Sequence, residues 1–209
     1  MNAYYDNING KYKQVSKGED VVDKIIGIKI KSMRVLLVVL ILIRIIMFLL
    51  NYGFDIYILI FTINKGVVAL LLDITIVLIG TLILNLNKTK MWKRYVINSL
   101  AGICIVLLMF VFLLVHSDKD YFYFESPNKS NTLVVEEASF LLSGWCNLYE
   151  RKAGIFIKKL EGQILTDDGF GPFSSNRYEL TWIDNDTVEI SYDFGSGAGE
   201  YQDILIKFD

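Results

Sequence analysis

Between residues 35 and 115 the chain carries three long apolar stretches, and no other feature constrains its fold as tightly. The first runs over 35–50 and reaches 54, the second lies within 56–86, and the third covers 96–115. A bilayer core takes about 20 apolar residues at about 1.5 Å of rise each, so the first (35–54) and third (96–115) fit one crossing apiece. The second, placed at 57–86, is longer than one crossing needs. It must tilt, protrude, or begin with a short interfacial piece before Lys65, and 66–86 is the expected spanning core. A mean hydropathy of +0.41 with 53 % hydrophobic residues sits above an ordinary soluble domain and agrees with this reading. A cleavable signal peptide fits badly, because over thirty mostly polar residues precede the first apolar run.

Charge divides the chain at the end of the third stretch. Residues 1–116 hold 13 Lys/Arg against 6 Asp/Glu, an excess of seven positive charges, whereas residues 117–209 hold 8 against 17, an excess of nine negative ones. The acidic half argues against nucleic acid as a partner, since phosphate is repelled. Lys24, Lys29, Lys31 and Arg34 precede the first span, and Lys88, Lys90, Lys93 and Arg94 lie between the second and third, with Trp92 as an interface anchor. The connection around 51–55 has no basic residue. By the positive-inside rule the N-terminus is expected in the cytoplasm and residues 117–209 outside it, in a multi-pass protein of the cell membrane.

Three charges fall within the apolar region. Arg44 lies near the middle of the first span, Asp73 well inside the second, and Lys65 near the outer boundary. Unpaired, such residues cost about 2.5–3.5 kcal/mol each, so they pair or line a polar cavity. Adjacent antiparallel spans bring Arg44 and Asp73 to similar depth, and Lys65, eight residues before Asp73, shares its helix face. A buried ion pair fixing the helix hairpin is favoured over docking of a partner's span, and both over transport. Three spans without an internal repeat are few for a transporter.

From Tyr121 onward the pattern is that of strands. Tyr121, Phe122, Tyr123 and Phe124 precede a Ser126-Pro127-Asn128-Lys129 turn signal, and residues 132–137 form a β-branched run. Hairpins are expected around Ala153-Gly154 and around 184–187, a last strand near 204–208, and a short helix around 138–142. The fold class is therefore membrane α plus a small all-β domain: three transmembrane helices followed by an antiparallel sheet, open barrel or sandwich of six or seven strands. Residues 1–34 form an N-terminal tail, 35–116 the membrane region and 117–209 the β-rich domain. The first 20 residues are polar and expected to be disordered, and 21–33 to lie along the inner membrane surface.

Candidate sites in the β-rich part each meet a plainer explanation. Asp167-Asp168-Gly169 and Asp184-Asn185-Asp186 are fragments of calcium loops without the full ligand spacing, and read as turns. Glu136 and Glu137 point to opposite faces of a strand and cannot act as a close pair. His116, the one histidine, sits at the end of the third apolar stretch, which argues against a His-based triad inside the domain, and Cys146 reads as a structural thiol. The Gly195–Gly199 region lacks the Lys-Ser/Thr and helix of a phosphate loop.

The segments Ser126-Pro127-Asn128, Thr132-Leu133-Val134-Val135-Glu136-Glu137, Tyr149-Glu150-Arg151-Lys152 and Thr166-Asp167-Asp168-Gly169 resemble a family of small uncharacterised bacterial membrane proteins with a β-rich C-terminal domain of unknown function. The resemblance covers about the last 85 residues. It implies a bacterial envelope location and brings no activity or site residues. The expected function is non-enzymatic: a membrane anchor presenting an extracytoplasmic β-domain for partner or ligand binding, in an accessory or sensing role. A small transport or assembly subunit using Arg44, Lys65 and Asp73 is the alternative, and an extracytoplasmic hydrolase built on scattered Asp/Glu ranks third. No catalytic, cofactor-binding or metal residue is assigned. The expected partners are the lipid bilayer and a membrane protein or second copy of the chain.

Overall fold

The computed structural model describes residues 3–8, 11–60, 63, 65–86, 90–116, 119–140, 142–197 and 199–208. Three helices, α1 (Lys17–Gly53), α2 (Lys65–Leu86) and α3 (Met91–His116), precede a β-rich part. Each contains a segment long and apolar enough to cross a membrane: Lys24–Gly53, Lys65–Leu86 and Met91–Val115. Their apolar side chains are largely exposed, as Leu, Ile and Val are when lipid rather than protein solvates them. Lys88, Asn87 and the side chain of His116 lie outside the described residues.

The chain divides into two compact units. The first is Met1–Arg44 with Leu72–Leu108, the second Ile45–Leu71 with Met109–Asp209. In the first unit β1 (Ala3–Ile8) and β2 (Lys11–Ser16) pair antiparallel, where the sequence alone suggests no regular element. The Asn9-Gly10 dipeptide between them is a favoured hairpin signal in the sequence. Helix α1 then begins at Lys17, so residues 21–33 belong to the same continuous helix as the first apolar stretch.

The second unit holds a five-stranded antiparallel sheet in the order β3-β7-β6-β5-β4 and a three-stranded one in the order β10-β9-β8. The strands are β3 (Ile56–Ile58), β4 (Lys119–Glu125), β5 (Thr132–Phe140), β6 (Ser143–Ala153), β7 (Phe156–Asp167), β8 (Tyr178–Trp182), β9 (Thr187–Asp193) and β10 (Tyr201–Lys207). Side chains from both sheets make one core: Leu133, Val135, Cys146, Leu148 and Ile164 from the larger, Val188, Ile190 and Ile206 from the smaller. Phe173, in the connection from β7 to β8, packs within it against Phe122, Phe124 and Tyr178. The two sheets thus form a sandwich. The hairpins expected around Ala153-Gly154 and 184–187 are present, and Gly154 takes the left-handed conformation (φ 53°) that its turn requires.

Two further expectations change. The second apolar stretch divides before Lys65 into a short piece and the helix α2 over the expected 66–86, but that piece is a strand: residues 56–58 form β3 and pair with β7 through Ile56↔Lys158, Tyr57↔Ile157 and Ile58↔Phe156. Their β-branched and aromatic side chains suit an edge strand as well as a membrane span, which is why hydropathy alone merges them with α2. Among the described residues no helix forms around 138–142. Strand β5 runs on to Phe140, its ladder to β6 completed by Ala138↔Trp145 and Phe140↔Ser143.

Candidate functional site

Strand β5 is buried on both faces, and that is unusual for an antiparallel strand with a solvated side. One face of its sheet belongs to the sandwich core. The other carries a second cluster made of Leu59, Val134, Tyr149 and Ile157, joined by Tyr57, Tyr121 and Tyr123. Alternation along β4 and the register Tyr121↔Glu136 place Tyr121, Tyr123, Val134 and Glu136 together on this outer face.

Lys65, the first residue of α2, enters that face. Its Nζ stands 2.8 Å from Glu136 Oε2, donates to the Tyr149 hydroxyl, and lies 4.5 Å from the ring centroids of both Tyr57 and Tyr149. Tyr121 donates its hydroxyl proton to Glu136 Oε2 at 2.8 Å. Asn147 Nδ2 and Lys119 Nζ reach Glu136 Oε1 at 3.2 and 3.4 Å. The Glu136 side chain is fully buried, and four donors share its two oxygens. Burial raises its pKa, but the ammonium groups of Lys65 and Lys119 and the hydrogen bonds from Lys65 and Tyr121 outweigh burial and hold it below the usual carboxylate range. Burial, followed by the Glu136 charge, pushes the Tyr121 and Tyr149 phenols upward, so both stay protonated. A carboxylate so fully engaged is a clamp between helix and sheet rather than an acid–base catalyst.

The three charges singled out in the sequence therefore separate. Arg44 and Asp73 do meet: Arg44 Nε lies 2.7 Å from Asp73 Oδ1 and Nη2 lies 3.2 Å from Oδ2, a two-pronged pair. Lys65 joins the Glu136 clamp instead. Glu136 was legible as a strand residue facing away from Glu137. Its partner 71 residues upstream was not, although a solitary lysine opening an apolar run and the Tyr121/Tyr123 alternation were signals of it.

The remaining candidates fall into structural roles. Asp167 Oδ1 accepts from the Asp168 N–H and Asp184 Oδ1 from the Asp186 N–H, both within turns. Among the described residues no group of three or more His, Cys, Asp or Glu could hold a metal ion. Cys146 is fully buried, and burial with the nearby Glu137 charge pushes its thiol well up, away from a nucleophilic thiolate. Asp120 and Glu137 face each other across β4 and β5 and share a concave cavity of about 270 Å³. That is the arrangement a hydrolase would need, but Glu137 accepts the backbone N–H groups of Phe173 (2.7 Å) and Ser174 (3.1 Å) and thereby fixes the connection to β8. Scans against protein-family models, curated proteins and solved structures find no match to this chain, so the reading of its sites rests on their geometry.

Proposed function

We propose that the chain is a non-enzymatic envelope protein of the cell membrane, its N-terminus cytoplasmic, whose extracytoplasmic β-sandwich recognises a partner or envelope ligand in an accessory or sensing role. The observation that carries this reading is the Lys65–Glu136 clamp. A sandwich serving only as a tethered cap would need no buried ion pair to the first turn of α2, whereas a module reporting an event to its spans needs a stiff link. The edge strand β10, with Tyr201 and Leu205 exposed, offers a recognition surface for an added strand.

A photo-cross-linking residue placed at Leu205, compared with one at Leu78 in α2, tests the reading in intact cells. Adducts from Leu205 support recognition by the sandwich. Adducts from Leu78 alone would move the function to the spans. That second reading, a transport or assembly subunit, draws on the Arg44–Asp73 pair, whose side chains keep 32 % and 26 % exposure within the apolar helices and remain open to a partner's span.

A further inference from the structure

The connection from β5 to β6 has the wrong chemistry for a turn in water. Phe140 pairs with Ser143, and the two residues that separate them in the sequence are Leu141 and Leu142, where a short hairpin ordinarily carries Gly, Asn or Asp. The stretch from Ala138 to Trp145 holds no charged residue, although residues 117–209 carry 8 Lys/Arg and 17 Asp/Glu. Phe140 is 53 % exposed and Leu142 74 %, so the apolar tip is not folded back into the sandwich.

Register fixes the direction in which this tip points. Lys119, the first residue of β4, pairs with Ala138, and β5 then runs on antiparallel to β4, back toward the end of α3. Two more strand residues and the turn carry the tip about 7–10 Å past Lys119. A groove of about 660 Å³ agrees with that placement, having Phe110 and Leu114 of α3 on one wall and Phe140 and Trp145 on the other. Phe110 and Leu114 are one helical turn apart, so the hairpin end lies alongside the last two turns of α3 rather than beyond them. Trp145 pairs with Ala138 on one side and with the exposed Leu165 on the other, which extends the apolar row across the sheet.

We propose that the β5–β6 hairpin tip is a wedge dipped into the bilayer, with Phe140 and Leu142 at the boundary of headgroups and acyl chains in the leaflet that α3 leaves. The proposal rests on reading α3 as a membrane span. Lipid, rather than a protein, is selected by what the tip shares with that helix. Phe110, Val111 and Leu114 are each more than half exposed, and none of the spanning window of α3 is buried within the chain. Whatever surrounds those turns therefore reaches the tip beside them. Lys119 and Trp145 border the groove on the sheet side, a cation and an indole of the kind that settle at the headgroup level. An insertion of about 5–10 Å matches the depth of interfacial amphipathic segments and leaves the free backbone groups of the turn within reach of water and headgroups. The wedge stands four residues along β5 from Glu136, the carboxylate that holds Lys65.

Fluorescence quenching of the full-length chain in phosphatidylcholine vesicles tests the proposal. In a Cys104→Ser background, Leu142→Cys, Val111→Cys and Ser196→Cys each offer one exposed thiol for a nitrobenzoxadiazole dye, while the buried Cys146 stays unlabelled. Phosphatidylcholine spin-labelled near the top of its acyl chains should quench the dye at Leu142 and Val111 but not at Ser196. Aqueous iodide should quench it at Ser196 alone. Phe140→Cys repeats the measurement should Leu142→Cys fail to fold. Quenching at Leu142 by iodide and not by lipid places the tip in water and overturns the proposal. A dye at Leu142 reached by neither quencher is covered by protein, which overturns it equally. The Val111 site separates the underlying reading: no lipid quenching there sinks the span and the wedge with it, whereas lipid quenching at Val111 and not at Leu142 sinks the wedge alone.

Discussion

At the scale of single residues, the two ion pairs make opposite demands on their surroundings. Glu136 is fully buried, so Lys65→Met alone removes its nearest cation and should lower the stability of the purified protein by about 3–5 kcal/mol. Adding Glu136→Leu removes the stranded carboxylate, and the double variant should recover part of that loss. Denaturant unfolding of the two variants checks this; a double variant worse than the single would show that Lys119, Tyr121 and Asn147 depend on Glu136 more than Glu136 depends on Lys65. The same carboxylate sets an acid limit. Its folded-state pKa lies below the unfolded one, so its contribution is complete above the unfolded carboxylate value of about 4.3 and is lost as pH falls through the folded value. Asp193 acts in the same sense, lowered first by the Gly195 N–H and then by Arg177. Stability should therefore decline below about pH 4, and Glu136→Gln should flatten that decline in a pH series of thermal melts. For the Arg44–Asp73 pair, read as lying within a bilayer, Asp73→Asn leaves Arg44 uncompensated at an insertion penalty of about 2.5–3.5 kcal/mol. The level of Asp73→Asn in the membrane fraction should fall, and adding Arg44→Leu should restore it.

Among the elements, β3 departs furthest from what a sequence reveals. The helices, the two hairpins and the β-branched β5 follow from local periodicity and turn residues, and each is legible without the structure. Arg44 and Asp73 are legible too, because a charge in an apolar helix demands a partner and the neighbouring span offers one. Residues 56–58 carry no such local sign. Ile56, Tyr57 and Ile58 suit a span and a strand equally, and only their pairing with β7, about a hundred residues later, decides between them. Leu59, fully buried, then closes the outer cluster, its N–H donating to the Ile155 carbonyl at 2.8 Å. Leu59→Ala should cost about 2–5 kcal/mol, the range for a core leucine, rather than the near-zero change of a loop position. A fragment beginning at residue 119 lacks β3, Leu59 and Lys65, exposing Tyr149, Ile157 and an unpaired β7 edge. Such a fragment should melt well below the intact chain and aggregate, as light scattering during a thermal ramp would show.

For the whole molecule, orientation is read most directly by labelling, and the buried Cys146 thiol is no use for that purpose. A Ser196→Cys variant in a Cys104→Ser background places one exposed thiol in the β9–β10 connection. It should react with an impermeant maleimide in intact cells, and reaction only after permeabilisation would reverse the proposed topology. The pairing of β3 with β7 also has a consequence in time. At about 5–20 residues per second, the ribosome needs about 5–20 s after making β3 to deliver its partner strand. For that interval the segment between α1 and α2 waits as an unpaired, sticky edge, and Lys65 waits without Glu136. Maturation of this protein is therefore a late clasp rather than a sequence of finished parts. A deletion or stop in the last third of the chain should disturb the loop between the first two spans, far upstream of the lesion itself.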